Sequence, residues 1–181
     1  MLAAAERKGV DIEVVAFDES THTAAEAAAA VGAELGQIVK SLVFVTPTDG
    51  GLTPIVCLVS GPNRVDLARL AAVTGEADIR RATAREANDL TGFVIGGIPP
   101  FGFEGQVRVI MDPDLGRYPS VWAAAGLPTV VFEVPPATLR TLANAMVAPI
   151  TEDRRAADVE AAEREATAAD EAAGRLASTE A

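Results

Sequence analysis

The sequence predicts a mixed α/β domain built on a curved, largely antiparallel sheet flanked by helices. Three observations predict it. Two strand-like runs, residues 38–46 and 53–60, are joined by the turn signal Thr48-Asp49-Gly50-Gly51 and read as a hairpin. Two capping boxes, Thr23-Ala24-Ala25-Glu26 and Thr83-Ala84-Arg85-Glu86, open short helices on either side of that hairpin. Short strands and helices interleave without the regular βαβα alternation of a doubly wound parallel sheet.

Residues 10–17 alternate polar and apolar side chains and read as a first strand. The helix opened by Thr23 should stop near Gly32; its interior is nearly all alanine, which favours helix but offers little apolar area. After the hairpin, Gly61-Pro62-Asn63 ends the second strand. Leu67, Leu70 and Ala71 then fall at helical spacing, and Gly75 closes that helix. A short strand is expected at 78–81, a helix from Thr83 to Gly92, and strands at 93–95, 107–111, 121–125 and 129–134. Asp112-Pro113-Asp114 ends the 107–111 strand, and Pro136 opens a last helix at a position that favours proline.

The 181 residues suit one domain, placed at 1–150, with large apolar side chains concentrated between Ile38 and Phe132. Residues 151–181 change character: Ala, Glu, Asp and Arg dominate, and Val159 and Leu176 are the only large apolar side chains. Glu160 with Arg164 and Glu171 with Arg175 are helical i,i+4 pairs, worth about 0.2–0.5 kcal/mol each. This acidic, alanine-rich tail is expected to be an exposed helix or disordered, since it cannot bury a core.

Cys57 is the sole cysteine, so an internal disulfide is excluded; it reads as a buried small hydrophobe, in keeping with a cytoplasmic location. No apolar run approaches the ~20 residues of a membrane span. Met1-Leu2-Ala3-Ala4-Ala5 runs straight into Glu6-Arg7-Lys8, which is not a signal-peptide layout. The net charge of −11 argues against simple nucleic-acid binding. Residues 151–181 hold nine acids against four arginines, and residues 1–150 hold seventeen acids against eleven bases, so the main body is acidic too. Any nucleic-acid contact needs a local basic patch, for which Arg64, Arg69, the Arg80-Arg81-Arg85 cluster and Arg108 are candidates beside the plainer reading of a solvated surface.

Lys40 is the residue that asks for an explanation. In Gln37-Ile38-Val39-Lys40-Ser41-Leu42-Val43-Phe44-Val45 it shares a strand face with Ile38, Leu42 and Phe44. An ammonium on an apolar face is costly unless it is paired or reaches water. Taken alone it reads as a snorkelling side chain. Downstream stands Gly96-Gly97-Ile98-Pro99-Pro100-Phe101-Gly102, whose glycines admit close backbone approach and whose prolines stiffen the exit. It lacks the ending of a Walker loop and the spacing of a dinucleotide fingerprint. A lysine aimed at such a loop suits a carbonyl, a carboxylate or a phosphate. One His and one Cys cannot build a tight zinc site, and no GxSxG elbow is present.

These pieces together resemble the YbaK family of aminoacyl-tRNA deacylases, related to the editing domain inserted in bacterial prolyl-tRNA synthetases. The residues that carry the resemblance run in the family's order: His22-Thr23-Ala24-Ala25-Glu26-Ala27-Ala28, Gly36 to Phe44 around Lys40, Ser60-Gly61 with Val65-Asp66-Leu67, the Gly96–Gly102 loop, and Val131-Phe132-Glu133-Val134-Pro135-Pro136. The resemblance covers roughly residues 10–145 and implies a barrel-like mixed sheet. It further implies an aminoacyl pocket formed by Lys40 and the loop residues Gly96, Gly97, Ile98, Pro99, Pro100, Phe101 and Gly102, with Phe101 either walling the pocket or packing in the core. Ser41, on the opposite strand face from Lys40, and His22, just before a helix cap, are weaker candidates at places where the family has a small polar residue and a histidine. The family pattern implies no metal, no cofactor and no covalent enzyme nucleophile.

The chain departs from the pattern at Ala123-Ala124-Ala125-Gly126-Leu127-Pro128-Thr129, where many members carry a basic residue. The implied activity is trans-editing: hydrolysis of the ester on a mischarged tRNA, acting free or docked on an aminoacyl-tRNA synthetase. Lys40 would either stabilise negative charge or, if desolvated enough, act as a base. The alternative is a non-catalytic binding module of the same fold for a small aminoacyl-like ligand or a protein partner.

Overall fold

Apart from the segment 93–95, the expected helices and strands fall on elements that the chain forms. The computed structural model describes residues 1–17 and 23–153. Helices are α1 (Leu2–Glu6), α2 (Ala24–Val31), α3 (Leu67–Thr74), α4 (Ala84–Thr91) and α5 (Pro136–Ala143). Strands are β1 (Val14–Ala16), β2 (Val39–Thr48), β3 (Gly51–Ser60), β4 (Arg80–Arg81), β5 (Arg108–Met111), β6 (Val121–Ala124), β7 (Val130–Val134) and β8 (Met146–Val147). Met1–Thr151 forms one compact unit, and no helix among the described residues is long and apolar enough to cross a membrane. His22 and the expected tail from 154 onward lie outside the described residues.

Both capping boxes form. Thr23 accepts from the Glu26 amide while Glu26 accepts from the Thr23 amide, and Thr83 and Glu86 do the same for α4. Gly32, Gly75 and Gly92 end α2, α3 and α4 in left-handed backbone, where glycine bears no Cβ penalty. Asp66 caps α3 through the amides of Ala68 and Arg69. Lys8 makes a contact distant in sequence: its Nζ donates to the carbonyls of Thr141 (3.1 Å) and Leu142 (2.9 Å) at the C-terminus of α5, where a cation suits the helix dipole.

The strands form two sheets, β4-β2-β3-β5-β8 and β1-β7-β6. The β2–β3 hairpin pairs residue for residue from Val39↔Ser60 to Thr48↔Gly51. Four of the six strand pairings among the described residues are antiparallel, but β5 runs parallel to both β3 and β8. Those partners are reached by long crossovers, which a hairpin signal cannot reveal. The sheets do not close into the barrel that the resemblance implied. β4 is two residues long and covers β2 only at Phe44 and Val45, and β6 meets the beginning of β2 through a single bridge, Ile38↔Trp122. The edge of β2 between these two contacts stays open.

Both faces of the hairpin are buried. Val39, Val43, Val45, Val56 and Leu58 join a core with Ile98, Phe101, Phe132 and Leu139. Phe44, Ile55, Cys57 and Val59 pack with Leu70, Ile110 and Ile150 on the opposite side. A strand covered on both faces reads as a continuous apolar run, which is what residues 54–59 are.

The segment 93–95 is not a strand. Thr91 Oγ1 accepts from the Phe93 amide (3.2 Å) and the Gly97 amide donates to the Val94 carbonyl (3.0 Å), so the backbone groups a ladder would need are used locally. From Phe93 to Val107 the chain is a long loop laid over the core.

Candidate functional site

A cavity of about 230 Å³ opens along the uncovered edge of β2. Thr23, Ala24, Ala27 and Val31 of the α2 segment line one side of it, and Trp122, Ala123 and Ala124 of β6 with Pro128 and Val131 line another. Ile95, Gly96 and Ile98 come from the long loop, and Arg81, Ala82 and Ala87 come from β4 and α4. Ile38 and residues 39–43 of β2 supply the remaining wall. Both faces of the strand contribute because the cavity lies at its edge. The wall is chiefly alanine, valine and isoleucine, so it excludes water from whatever side chain enters.

Lys40 stands opposite Val59 in the hairpin register, on the face of Phe44 and Cys57. Its Nζ donates to the carbonyl of Asn63 at 2.6 Å. That carbonyl is held in place from two directions. Asn63 Nδ2 donates to Asp112 Oδ2 (2.7 Å) and to Asp114 Oδ2 (2.8 Å), on the turn Pro113–Arg117 that follows β5. Just before Asn63, a Cβ on Gly61 would stand 2.2 Å from the Leu35 carbonyl oxygen, so this approach admits only glycine. Burial holds the Lys40 ammonium below its usual lysine range, and the guanidiniums of Arg81 and Arg64 add to this. Burial also raises the Asp112 carboxyl, against the hydrogen bond it accepts from Asn63.

Ser41 faces the other way, with Val39 and Val43. Its Oγ is shut off from solvent and has no hydrogen-bond partner, in the wall of the cavity. A buried hydroxyl left unpaired costs about 1–3 kcal/mol, so its natural partner is a polar atom of a bound molecule or a water. Among the described residues neither base nor carboxylate contacts this hydroxyl, so none of them activates it as a nucleophile. Cys57 is no nucleophile either, since burial pushes its thiol up to about 12. Among the described residues no cluster of three His, Cys, Asp or Glu side chains is placed to hold a metal ion.

Of the residues the sequence pointed to, Lys40, Ser41, Gly96 and Ile98 lie in the cavity wall. Gly97, Pro99, Pro100 and Phe101 are buried behind it. Gly97 is pressed onto the backbone of Leu127 and Pro128, where a Cβ would stand 2.8–2.9 Å from main-chain atoms. Phe101 packs edge-on against Phe132 with ring centroids 5.9 Å apart, which places it in the core. Gly102 adopts φ +88° against Met1. Sequence reasoning missed Asn63 and the α2 and β6 walls, and offered Arg81 as part of a basic cluster for nucleic-acid contact rather than as a cavity residue. Asn63 stood in a turn motif and Arg81 in a charge cluster, and the alanines carry no local signal at all.

The family model of the aminoacyl-tRNA editing domain matches residues 18–142, which include every element of the cavity wall. The chain belongs to the aminoacyl-tRNA editing domain family. Its curated relatives include the Ser/Thr-tRNA deacylase ProXp-y of Escherichia coli, described as multifunctional. It is 31% identical over 132 residues, which cover 70% of this chain and 76% of that one. EbsC of Enterococcus faecalis, named as a candidate Cys-tRNA(Pro)/Cys-tRNA(Cys) deacylase, is 28% identical over 136 residues, covering 75% of this chain and 81% of that one. Among solved structures, a candidate trans-editing enzyme for prolyl-tRNA synthetase superposes with a TM-score of 0.75 at 46% identity. It covers 83% of this chain and 94% of the other. The mixed α/β fold of this editing domain is therefore that of its family.

Proposed function

We propose that this editing domain is a trans-editing hydrolase, cleaving the ester between an amino acid and the 3′ end of a mischarged tRNA. The relatives support the reaction class, and the cavity beside Lys40 carries the reading at this chain's own residues. At about 230 Å³ it is smaller than the roughly 300–1,000 Å³ of sites for drug-sized ligands. Its alanine-rich wall suits a small aminoacyl group and excludes large ones. Ile95, Gly96 and Ile98 would contact that group directly. Gly97, Pro99 and Pro100 would fix the loop from behind, and Ser41 would take a hydrogen bond to the bound amino acid.

Lys40 supplies the charge. Its ammonium, poorly hydrated and held by Asn63, would stabilise the negative oxygen that develops when the ester carbonyl is attacked. With neither Ser41 nor Cys57 activated by any of the described residues, the attacking group in this scheme comes from water or from the substrate itself. An acyl-enzyme has no part in this scheme.

A panel of mischarged tRNAs incubated with the pure protein tests the proposal. The wild type should deacylate at least one of them. Lys40→Ala should lose on the order of 10²–10³ in rate while still melting cooperatively. A folded wild type that hydrolyses none would favour a binding module for an aminoacyl-like ligand, and full activity in Lys40→Ala would remove the lysine from the mechanism.

A further inference from the structure

The chain is strongly acidic, yet an editing substrate is a polyanion, so the approach must be local. The structure sorts the arginines. Arg69 pairs with Asp66 (3.6 Å), Arg80 with Glu86 (2.6 Å), Arg85 with Asp89 (3.5 Å), Arg108 with Glu76 (2.6 Å) and Arg117 with Asp114 (3.8 Å). Arg7, Arg64, Arg81 and Arg140 have no acidic partner among the described residues, and all four are exposed. Of these, Arg64 and Arg81 are the two whose charges reach the Lys40 ammonium.

Their placement is set by the backbone. Arg81 lies in the cavity wall, on the short strand that pairs with β2 at Phe44. Arg64 directly follows Asn63, whose carbonyl holds Lys40. Lys40 and Arg81 thus line a mostly apolar cavity, Arg64 follows the residue that holds Lys40, and no carboxylate among the described residues pairs with any of the three. Among the described residues, the hydrogen bond that Lys40 donates goes to a neutral carbonyl. Such an arrangement repels itself when empty and is relieved by an anion. An aminoacyl group in the cavity would leave its ribose and the adjoining phosphodiesters near the cavity wall that holds Arg81 and near the Asn63-Arg64 turn that anchors Lys40.

We propose that Arg64 and Arg81, beside Lys40, form a phosphate-binding site for the 3′-terminal nucleotides of the tRNA. The proposal rests on the editing reading for the identity of its ligand. Guanidiniums suit this role because each offers a planar fork of donors to phosphate oxygens. The site answers the lack of a basic residue in the 123–129 turn: here the positive charge comes from the other side of the cavity.

The experiment measures binding of a 5′-labelled CCA RNA trinucleotide by fluorescence anisotropy across a salt series, with inorganic phosphate as competitor. The wild type should bind, with log K falling linearly in log salt. Arg64→Gln/Arg81→Gln should weaken binding at low salt by at least about tenfold. It should also flatten the slope by about 1.4, since each single-strand phosphate contact contributes roughly 0.7. Arg85→Gln, which removes one charge from a paired, exposed position, should change neither.

The proposal is overturned if the wild type does not bind the trinucleotide, or if the double variant matches the wild type. It is also overturned if Arg85→Gln loses as much, or if inorganic phosphate competes as well as unlabelled trinucleotide. The probe carries no ester, so failure here is separate from failure of the hydrolase reading. A wild type that binds the trinucleotide but deacylates nothing sinks the reaction and keeps the site. A wild type that deacylates, with a double variant unchanged in binding and KM, sinks the site and keeps the reaction.

Discussion

Lys40 Nζ has three protons, and the Asn63 carbonyl takes one of them at 2.6 Å. The others meet no acceptor among the described residues, so one ammonium can be anchored and still have donors to offer a ligand. Its placement opposes stability, because burial and two guanidiniums disfavour the charged form. The sign of the pH dependence follows. Where the lysine is charged in both folded and unfolded chains, the folded state alone bears the cost of burying that charge. As pH rises through the lowered folded value toward 10.5, the folded lysine loses its proton first and the cost disappears. Urea melts of wild type and Lys40→Met at pH 7 and pH 10 should therefore show the wild type gaining stability relative to the variant at the higher pH. A difference that stays constant, or moves the other way, would mean that the ammonium is not desolvated. The catalysed deacylation rate, corrected for spontaneous ester hydrolysis, should fall across the same window, because the proposed role needs the cation.

At the scale of elements, the loop from Phe93 to Val107 is held to the cavity by contact rather than by pairing. Gly97 presses on main-chain atoms of Leu127 and Pro128 at 2.8–2.9 Å from where a Cβ would lie, and backbone cannot yield as a side-chain tip can. Gly97→Ala should cost about 1–3 kcal/mol in urea denaturation and raise KM by displacing Gly96 and Ile98. Gly105→Ala, in open space on the same loop, should do neither. This contact was not legible in the sequence, and the reason is general. Signals that act within four residues were readable: the Thr23 and Thr83 capping boxes, the glycines after α2, α3 and α4, and the Asp49-Gly50 turn all do locally what they promise. The strand expected at 93–95 failed because Thr91 and Gly97 capture its backbone, a competition that apolar character alone does not disclose. The parallel partners of β5 and the five-residue α1 depend on contacts across the chain. At the site, Lys40 stood out because a charge on an apolar strand is costly. The alanines of α2 and β6, which shape the cavity, are silent until the fold brings them together.

For the molecule as a whole, β3 is the element on which both cores depend. It pairs with β2 along ten residues and with β5 on its other edge, and its side chains are buried on both faces. Cys57 sits in the middle of it, fully buried between Leu42 and Ile110 in the register. Exposing that thiol requires breaking β2–β3 or β3–β5 and emptying the cluster around Leu70 and Ile150, so partial openings at the cavity edge should not reach it. Its chemistry reinforces its position. With the folded thiol pushed up to about 12, only about 10⁻⁴ of it is thiolate at pH 8, whereas an unfolded cysteine near pKa 8.5 is substantially ionised. Labelling by an aromatic disulfide reagent at pH 8 should therefore be slow in buffer and should accelerate with urea in parallel with global unfolding followed by circular dichroism. Lys40→Ala and Arg64→Gln/Arg81→Gln, which act at the cavity edge, should label as slowly as the wild type. Fast labelling in the absence of urea would show that the hairpin opens without the rest of the molecule, and that the sheet carrying Lys40 is not the rigid support its role in the cavity requires.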